Sequence, residues 1–168
     1  MLIASSNSRR AFLRSSVAAV ITVALIAGCG GGGETTTPPG SDPATETFAS
    51  SLGVDLASMT KLSPDLYIKD VTVGSGAVVT DGQLLTMIYT GWLTNGSQFD
   101  TDIGRMPLTF HLNRGEVIPG WDQGITGMRV GGQRLLVIGS ALGYGAAGRG
   151  PIPPNATLVF HVQITAAQ

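Results

Sequence analysis

From Lys61 to the C-terminus, the sequence is a series of short apolar runs separated by glycine-rich or polar turns. The last run, TLVFHVQIT, places Leu158, Phe160, Val162 and Ile164 at alternate positions, which is the pattern of a strand with one buried face. The run QLLTMIYTGWL is almost continuously apolar, as in a central strand, and ends before the turn TNGS. Further strands are predicted at LYIKDVTVGSG, FHLN and RLLVIG. The pattern therefore predicts a mainly antiparallel sheet.

A single segment, IPGWDQGITGM, has the features of a helix. Pro119 suits a first helical turn, and Gly127 suits the position just after a helix end. Several antiparallel strands wrapped on one short helix form an α+β domain of about a hundred residues, which is enough to enclose one core. We expect this domain to span residues 61–168.

Composition and motifs exclude several classes of function. Only 12% of the 168 residues are charged and the net charge is −1, so no nucleic-acid partner is expected. The loop GYGAAG matches the glycine spacing of a dinucleotide site, but RGPIPP follows it instead of a helix, and no acid occurs after Asp122 to hold a ribose. His111 and His161 are isolated imidazoles without a cluster of acids or cysteines. We expect neither a cofactor nor a metal site.

The N-terminus has the layout of an export signal. Arginines precede an apolar stretch, Val17 to Gly28, that is shorter than the roughly 20 residues of a membrane span. Arg9 and Arg10 in SRRAFL resemble the twin-arginine export motif, and an ordinary positively charged Sec signal fits equally well. Residues 1–28 are therefore interpreted as a signal peptide, and the export route stays open.

Cys29 is the only cysteine and ends the apolar stretch in IAGC, which resembles a bacterial lipobox. We expect a lipid on Cys29 and attachment to a bacterial membrane, on the periplasmic or extracellular face, at the outer membrane if the organism is Gram-negative. Cleavage by the ordinary signal peptidase, leaving a free thiol nearby, is the alternative. Residues 29–47 are rich in Gly, Thr and Pro and predict a flexible tether, followed by a lead-in segment of uncertain structure at 48–60.

Aromatic residues recur in the predicted strands, helix and loops. Plain core packing accounts for phenylalanines, but a buried phenol needs a hydrogen-bond partner, and QFDT puts Asp100 beside Phe99 on a predicted turn, with Arg105 near enough to screen it. These features favour an apolar pocket with a polar rim. The aromatic residues concerned are Tyr89, Phe99, Phe110, Trp121, Tyr144 and Phe160.

Three long motifs, IYTGWLTNGSQFDTD, GEVIPGWDQGITGMRVGGQRLLVI and GYGAAGRGPIPPNATLVFHVQI, resemble the FKBP-type peptidyl-prolyl cis-trans isomerases. The resemblance covers the chain from about Lys61 to Gln168. It implies a twisted antiparallel sheet wrapped around one short helix, with an apolar bowl that accepts a prolyl ring and, in many members, immunosuppressive macrolides. It also implies catalysis without a nucleophile.

The resemblance assigns roles to particular positions. It implies that Trp121 floors the pocket, that the backbone N–H of Ile118 anchors a substrate carbonyl, and that Asp100, Tyr144 and Tyr89 take part in catalysis. Substrate contacts are implied for Tyr89, Phe99, Phe110, Val117, Ile118, Trp121, Ile152 and Phe160. The sequence departs from the family pattern at Leu108, where a phenylalanine is common, at Arg149, where a histidine is common, and in a shortened Asp102–Pro107 segment.

The expected function is isomerisation of Xaa-Pro bonds in exported polypeptides, with unfolded proline-containing chains as partners. The protein is expected to be a monomer. A non-catalytic module that binds proline segments, or a holdase chaperone, is the alternative. The turn between Ile138 and Tyr144 is too short for an inserted chaperone domain, and the tether with its lead-in is too short for a dimerising helical arm.

Overall fold

The structure, a computed structural model, describes residues 42–168. The predicted signal peptide with Arg9 and Arg10, the predicted lipidation site Cys29 and most of the predicted tether lie outside the described residues. Predictions about them therefore remain predictions.

The described residues form seven antiparallel strands: β1 (Thr60–Ser63), β2 (Leu66–Thr72), β3 (Leu84–Leu93), β4 (Gln98–Thr101), β5 (Leu108–His111), β6 (Gln133–Ile138) and β7 (Leu158–Ala167). They make one sheet in the order β1-β2-β6-β7-β3-β4, and β5 also pairs with β3. The sheet, with a single short α-helix among the described residues, confirms the predicted α+β class.

The long strands β3 and β7 form the middle of the sheet. They pair from Leu85 opposite Ala167 to Leu93 opposite Leu158, and β3 also pairs with β4 near one end and β5 near the other. The apolar run of β3 is therefore a central strand, as predicted. The alternation predicted for β7 is also confirmed, because its inward residues belong to the main core: Leu158, Phe160, Val162 and Ile164.

The helix α1 (Pro119–Ile125) lies against the sheet. Pro119 occupies its first turn, where a missing backbone N–H costs no helical hydrogen bond. Gly127, with φ of 79°, follows the helix end. A side chain at Gly124 would meet Leu136 at 2.7 Å, so glycine there allows the close approach of helix to sheet.

Arg134 in β6 fastens α1 to the sheet. Its guanidinium donates at 2.8 Å to the carbonyl of Gly124 in the helix, and its other nitrogens donate to the Asp70 carboxylate at 2.7 and 3.1 Å. Only 6% of Arg134 is exposed, and these hydrogen bonds offset the cost of burying its guanidinium away from water. These hydrogen bonds fix the position of α1, and with it Trp121, relative to β2 and β6.

The lead-in segment packs on the outer face of the sheet. It forms two 3₁₀ turns, Ser50–Leu52 and Leu56–Ser58, rather than a continuous helix. The backbone N–H of Ala49 donates to the carbonyl of Thr94, in the turn between β3 and β4. A second apolar cluster results, in which Phe48, Leu52, Val54 and Leu56 cover Met59, Tyr67, Leu135, Val137 and Val159.

Among residues 42–168, no helix is long and apolar enough to cross a bilayer.

Candidate active site

An open cavity of about 760 Å³ lies between the start of α1, strands β3 to β5, and the loop from β6 to β7. Most of the side chains that line it are apolar or aromatic, and a few polar groups stand among them. The lining consists of Tyr89, Phe99, Asp100, Leu108, Glu116, Val117, Ile118, Pro119, Trp121, Tyr144, Arg149, Gly150, Pro151 and Ile152.

Trp121 is largely buried, with 5% exposed, yet it lines this open cavity, as a floor would. Its indole packs edge-on against Tyr89, with ring centroids 4.9 Å apart, and against Phe160 at 5.0 Å. The indole N–H is buried and has no hydrogen-bond partner within residues 42–168. A buried donor left without an acceptor costs about 1–3 kcal/mol, so an acceptor from a ligand or a water molecule at this position would be stabilising.

Phe110 and Phe160 are not among the side chains that line the cavity, so their contact with substrate stays a prediction. Each is only 2% exposed. Phe160 packs beneath Trp121 and meets the ring of Phe99 edge-on at 5.5 Å, while the Phe110 ring lies 6.3 Å from Trp121. Both rings point inward from strands, but they lie one layer below the surface of the cavity. They support the floor and one wall.

Gly91 allows Phe99 to stand against Phe160. A β-carbon at Gly91 would meet the Phe99 ring at 2.6 Å and the Phe160 ring at 2.7 Å. The residue pairs with Asp100 across β3 and β4, so its missing side chain leaves space for the aromatic wall. The role of Gly91 was not predicted, although a lone glycine inside an apolar strand is a sequence signal for close approach.

Tyr89 and Asp100 form a hydrogen-bonded pair on the rim. The Tyr89 hydroxyl donates to the Asp100 carboxylate at 2.6 Å, and the second carboxylate oxygen accepts the backbone N–H of Thr101 at 2.8 Å. Burial, together with the neighbouring carboxylate, raises the pKa of Tyr89 well above its ordinary value. The phenol therefore stays neutral, while the Asp100 side chain is exposed at the cavity mouth.

Asp100 lies in strand β4 and not on a turn, which corrects the sequence interpretation. Its backbone pairs with Gly91 of β3. The predicted screening by Arg105 is also absent, because Arg105 is exposed and makes no ion pair with Asp100 in the described part of the chain. The charge of Asp100 is thus balanced by hydrogen bonds rather than by a cation.

Asp102 is a buried carboxylate that the sequence analysis did not single out. With 7% exposed, it accepts the backbone N–H of Tyr89 at 2.7 Å and that of Leu108 at 3.2 Å. It therefore ties together two strands that each contribute a residue to the cavity. No sequence signal identifies it, because an acid at the end of a short strand is usually solvated.

Besides the Trp121 indole N–H, two donors at the edge of the cavity also have no protein acceptor within residues 42–168. One is the hydroxyl of Tyr144, a residue of the β6–β7 loop that lines the cavity. The other is the backbone N–H of Ile118, which immediately precedes α1, while the Ile118 carbonyl accepts from Trp121 at 2.9 Å. Both belong to residues that the resemblance assigns to the site.

Further lining residues had not been assigned to the site. Glu116 bonds His111 at 2.9 Å, and this partner lowers the pKa of the Glu116 carboxyl. Pro119 and Pro151 add apolar surface, and Arg149 places a cation at the rim. Within the described residues, no group of three or more His, Cys, Asp or Glu side chains could hold a metal ion.

Comparison with known proteins identifies the family. The family model described as FKBP-type peptidyl-prolyl cis-trans isomerase matches residues 76–165. The chain belongs to this family. Its FKBP domain is therefore a peptidyl-prolyl cis-trans isomerase, and the alternative of a non-catalytic binding module or holdase is not favoured.

Similar proteins occur in bacteria and fungi. The FKBP domain is 50% identical over 101 residues to the FK506-binding protein of Neisseria meningitidis serogroup A, covering 59% of this chain and 93% of that protein. It is 50% identical over 107 residues to FK506-binding protein 4 of Rhizopus delemar, covering 63% of this chain but only 28% of that longer relative.

Solved structures have the same FKBP fold. The crystal structure of AtFKBP13 matches with a TM-score of 0.58 and 40% identity, over 61% of this chain and 93% of that one. The crystal structure of FkpA from Escherichia coli matches with a TM-score of 0.61 and 38% identity, over 66% of this chain and 51% of that one.

Proposed function

We propose that the cavity above Trp121 is where the Xaa-Pro bond turns. The observation that carries this proposal is an open hollow, lined mostly by apolar and aromatic residues, with two unpartnered donors at its edge, the Tyr144 hydroxyl and the Ile118 N–H. A prolyl ring fits the apolar floor, and the adjacent carbonyls of the substrate would accept from the two donors. No group that attacks a carbonyl is required, because no covalent bond is broken.

The chemistry requires loss of amide resonance, with a barrier of roughly 18–20 kcal/mol. A planar amide has more charge separation than a twisted one, so a water-poor cavity stabilises the planar form less than solvent does. A rate gain of about 10⁵ corresponds to roughly 7 kcal/mol. Burial of the prolyl ring is shared by ground and transition states, so the gain must come from desolvation and from hydrogen bonds that improve on twisting.

Specific groups of the cavity suit this task. Tyr144 would donate to the carbonyl before the proline, and Ile118 would anchor a second substrate carbonyl. The Asp100 carboxylate would set a negative field beside the rotating bond, and the hydroxyl of Tyr89 holds that carboxylate in place. Because several weak effects act together, single substitutions should reduce the rate by tens-fold rather than thousands-fold.

A peptide assay tests the proposal. Wild-type protein should accelerate cis-trans exchange of a Leu-Pro tetrapeptide, and Tyr144→Phe should lower kcat/KM about ten-fold because one hydroxyl donor is lost. The matched change Tyr67→Phe removes a phenol from the outer-face cluster and should leave kcat/KM unchanged. Equal effects of both substitutions, or none of Tyr144→Phe, would contradict the role given to this hydroxyl.

We propose in addition that macrolides occupy the same cavity. The relatives in Neisseria and Rhizopus are named as FK506-binding proteins, which supports this extension to the present chain. Trp121→Ala should weaken macrolide binding because it removes the floor, and it should lower the free energy of unfolding by about 3–5 kcal/mol. Unaltered affinity in a folded variant would place the macrolide elsewhere.

The cellular setting is also a proposal. We propose that the chain is exported, carries a lipid on Cys29 and acts as a monomer on proline-containing exported polypeptides at a bacterial membrane surface. The arginines before Val17, the short apolar stretch and the IAGC motif support export and lipidation. The Gly-, Thr- and Pro-rich segment that follows would hold the domain away from the bilayer.

A further inference from the structure

A tight turn brings a cation and an apolar side chain together at the cavity mouth. Arg149 and Ile152 exchange both backbone hydrogen bonds, each 2.9 Å long, across the two residues Gly150 and Pro151. Ile152 is buried with 6% exposed, whereas Arg149 is exposed, and both line the cavity. The short reciprocal bridge fixes the backbone from which the Arg149 side chain extends.

The Arg149 guanidinium has no acidic partner within residues 42–168. It lies over the Tyr144 ring, 5.6 Å from the ring centroid, which holds it beside the cavity by a cation–π contact. The two lining carboxylates are bonded to other side chains, Asp100 to Tyr89 at 2.6 Å and Glu116 to His111 at 2.9 Å. Arg149 is therefore the one lining cation of the described residues, and its charge is available to a ligand.

We propose that Arg149 is a specificity-determining residue that favours Xaa-Pro bonds in which Xaa is glutamate or aspartate. This inference rests on the proposed function, in which Tyr144 donates to the carbonyl of Xaa. The Arg149 guanidinium packs on the ring of that same tyrosine. Apart from the proline itself, Xaa is therefore the substrate residue that would lie nearest to the guanidinium. A carboxylate on Xaa would meet an unpaired cation with several donors in a planar fork.

The size and form of the effect follow from the exposure of Arg149. Ion pairs at an exposed site are weak, so the expected preference for Glu over uncharged Gln is about two- to five-fold in kcat/KM. Ground state and transition state share the ion pair, so the preference should be found in KM rather than kcat. It should shrink between low and high ionic strength, because salt screens exposed charges.

The test compares acetyl-Ala-Xaa-Pro-Phe-amide peptides with Xaa as Glu, Gln or Leu, using the purified full chain and exchange NMR. In wild-type protein the Glu/Gln ratio of kcat/KM should be two to five at low salt. Arg149→Gln should bring this ratio to one, and Arg149→Lys should retain part of it. Lys69→Gln removes the same charge from a residue bonded to Ser58 on the outer face, and should leave the ratio as in wild type.

The outcomes separate this inference from the proposed function. A wild-type Glu/Gln ratio of one, or a ratio that Arg149→Gln leaves unchanged, overturns the role of Arg149 while turnover of the Leu peptide upholds the isomerase site. A ratio that Lys69→Gln lowers as much as Arg149→Gln also overturns it, because net charge would then be the cause. Absence of turnover with all three peptides contradicts the proposed function itself and this inference with it.

Discussion

The hydroxyl of Tyr89 donates a 2.6 Å hydrogen bond to the carboxylate of Asp100, from one strand to its neighbour at the rim of the cavity. The same phenol ring packs edge-on against Trp121. Tyr89 thus connects Trp121 at the floor of the cavity to the Asp100 carboxylate at its rim. A phenol held in this way is a fixed neutral dipole, and the carboxylate it binds keeps a defined orientation.

The first prediction concerns stability at high pH. Burial and Asp100 raise the pKa of Tyr89 above its ordinary value of 10.0, so the unfolded chain loses this proton before the folded chain does. The resulting stabilisation is fully present below about pH 10 and is lost as the pH rises further. In urea titrations from pH 8 to 11, the free energy of unfolding should fall more steeply for wild type than for Tyr89→Phe. Parallel curves would show that Tyr89 does not titrate abnormally.

The second prediction treats Tyr89 and Asp100 as one unit. Tyr89→Phe and Asp100→Asn should each lower kcat/KM for a Leu-Pro peptide by about ten-fold, because each removes the bond that orients the rim charge. The double variant should lose much less than the product of the two effects, since residues in direct contact are not independent. Multiplicative losses in this double-mutant cycle would show that the two side chains act separately.

The third prediction concerns Gly91. Gly91→Ala adds a methyl group into the rings of Phe99 and Phe160, so it should lower the free energy of unfolding by about 1–3 kcal/mol and also reduce kcat/KM by displacing the Phe99 wall. Gly53→Ala is the control. Its φ of 61° disfavours alanine, so this variant also loses stability, but its added methyl group meets nothing within 4 Å. A similar loss of activity in both variants would make lost stability, and not wall displacement, the cause.

The fourth prediction tests the proposed anchor. Cells that express the protein should incorporate radiolabelled palmitate into it, and Cys29→Ala should abolish the label because this is the only cysteine. Ser58→Ala, far along the chain from the predicted signal, should leave labelling intact. Label that persists after Cys29→Ala would contradict lipidation at this residue.

Much of the fold was predictable because the strands have clear periodicity. The alternation in β7 and the apolar run of β3 correctly indicated a half-buried strand and a central strand. The lead-in was less predictable, since its apolar side chains fit a helix as well as the two 3₁₀ turns that are present. Their packing depends on Tyr67, Val137 and Val159, which the sheet brings together from distant parts of the sequence.

The sequence singled out many of the residues that line the cavity, but it did not reveal how deeply each side chain lies. Alternation identifies Phe160 as inward-facing, yet it cannot tell a cavity wall from the layer beneath, which depends on Trp121 and on the missing side chain at Gly91. Asp100 looked like a turn residue because acids are rare in strands, but here its neighbour across the sheet is a glycine. The buried position of Asp102 arises from two backbone donors that local sequence does not reveal.

The most direct test of the account is two-dimensional exchange NMR on a Leu-Pro peptide with the purified protein at about one-hundredth of the peptide concentration. Spontaneous cis-trans exchange has a time constant of tens of seconds or longer. We predict exchange many times faster with the protein present, and a return to the spontaneous rate when a macrolide fills the cavity above Trp121. Exchange that stays at the spontaneous rate, or acceleration that persists with the cavity occupied, would contradict the claim that the prolyl bond turns there.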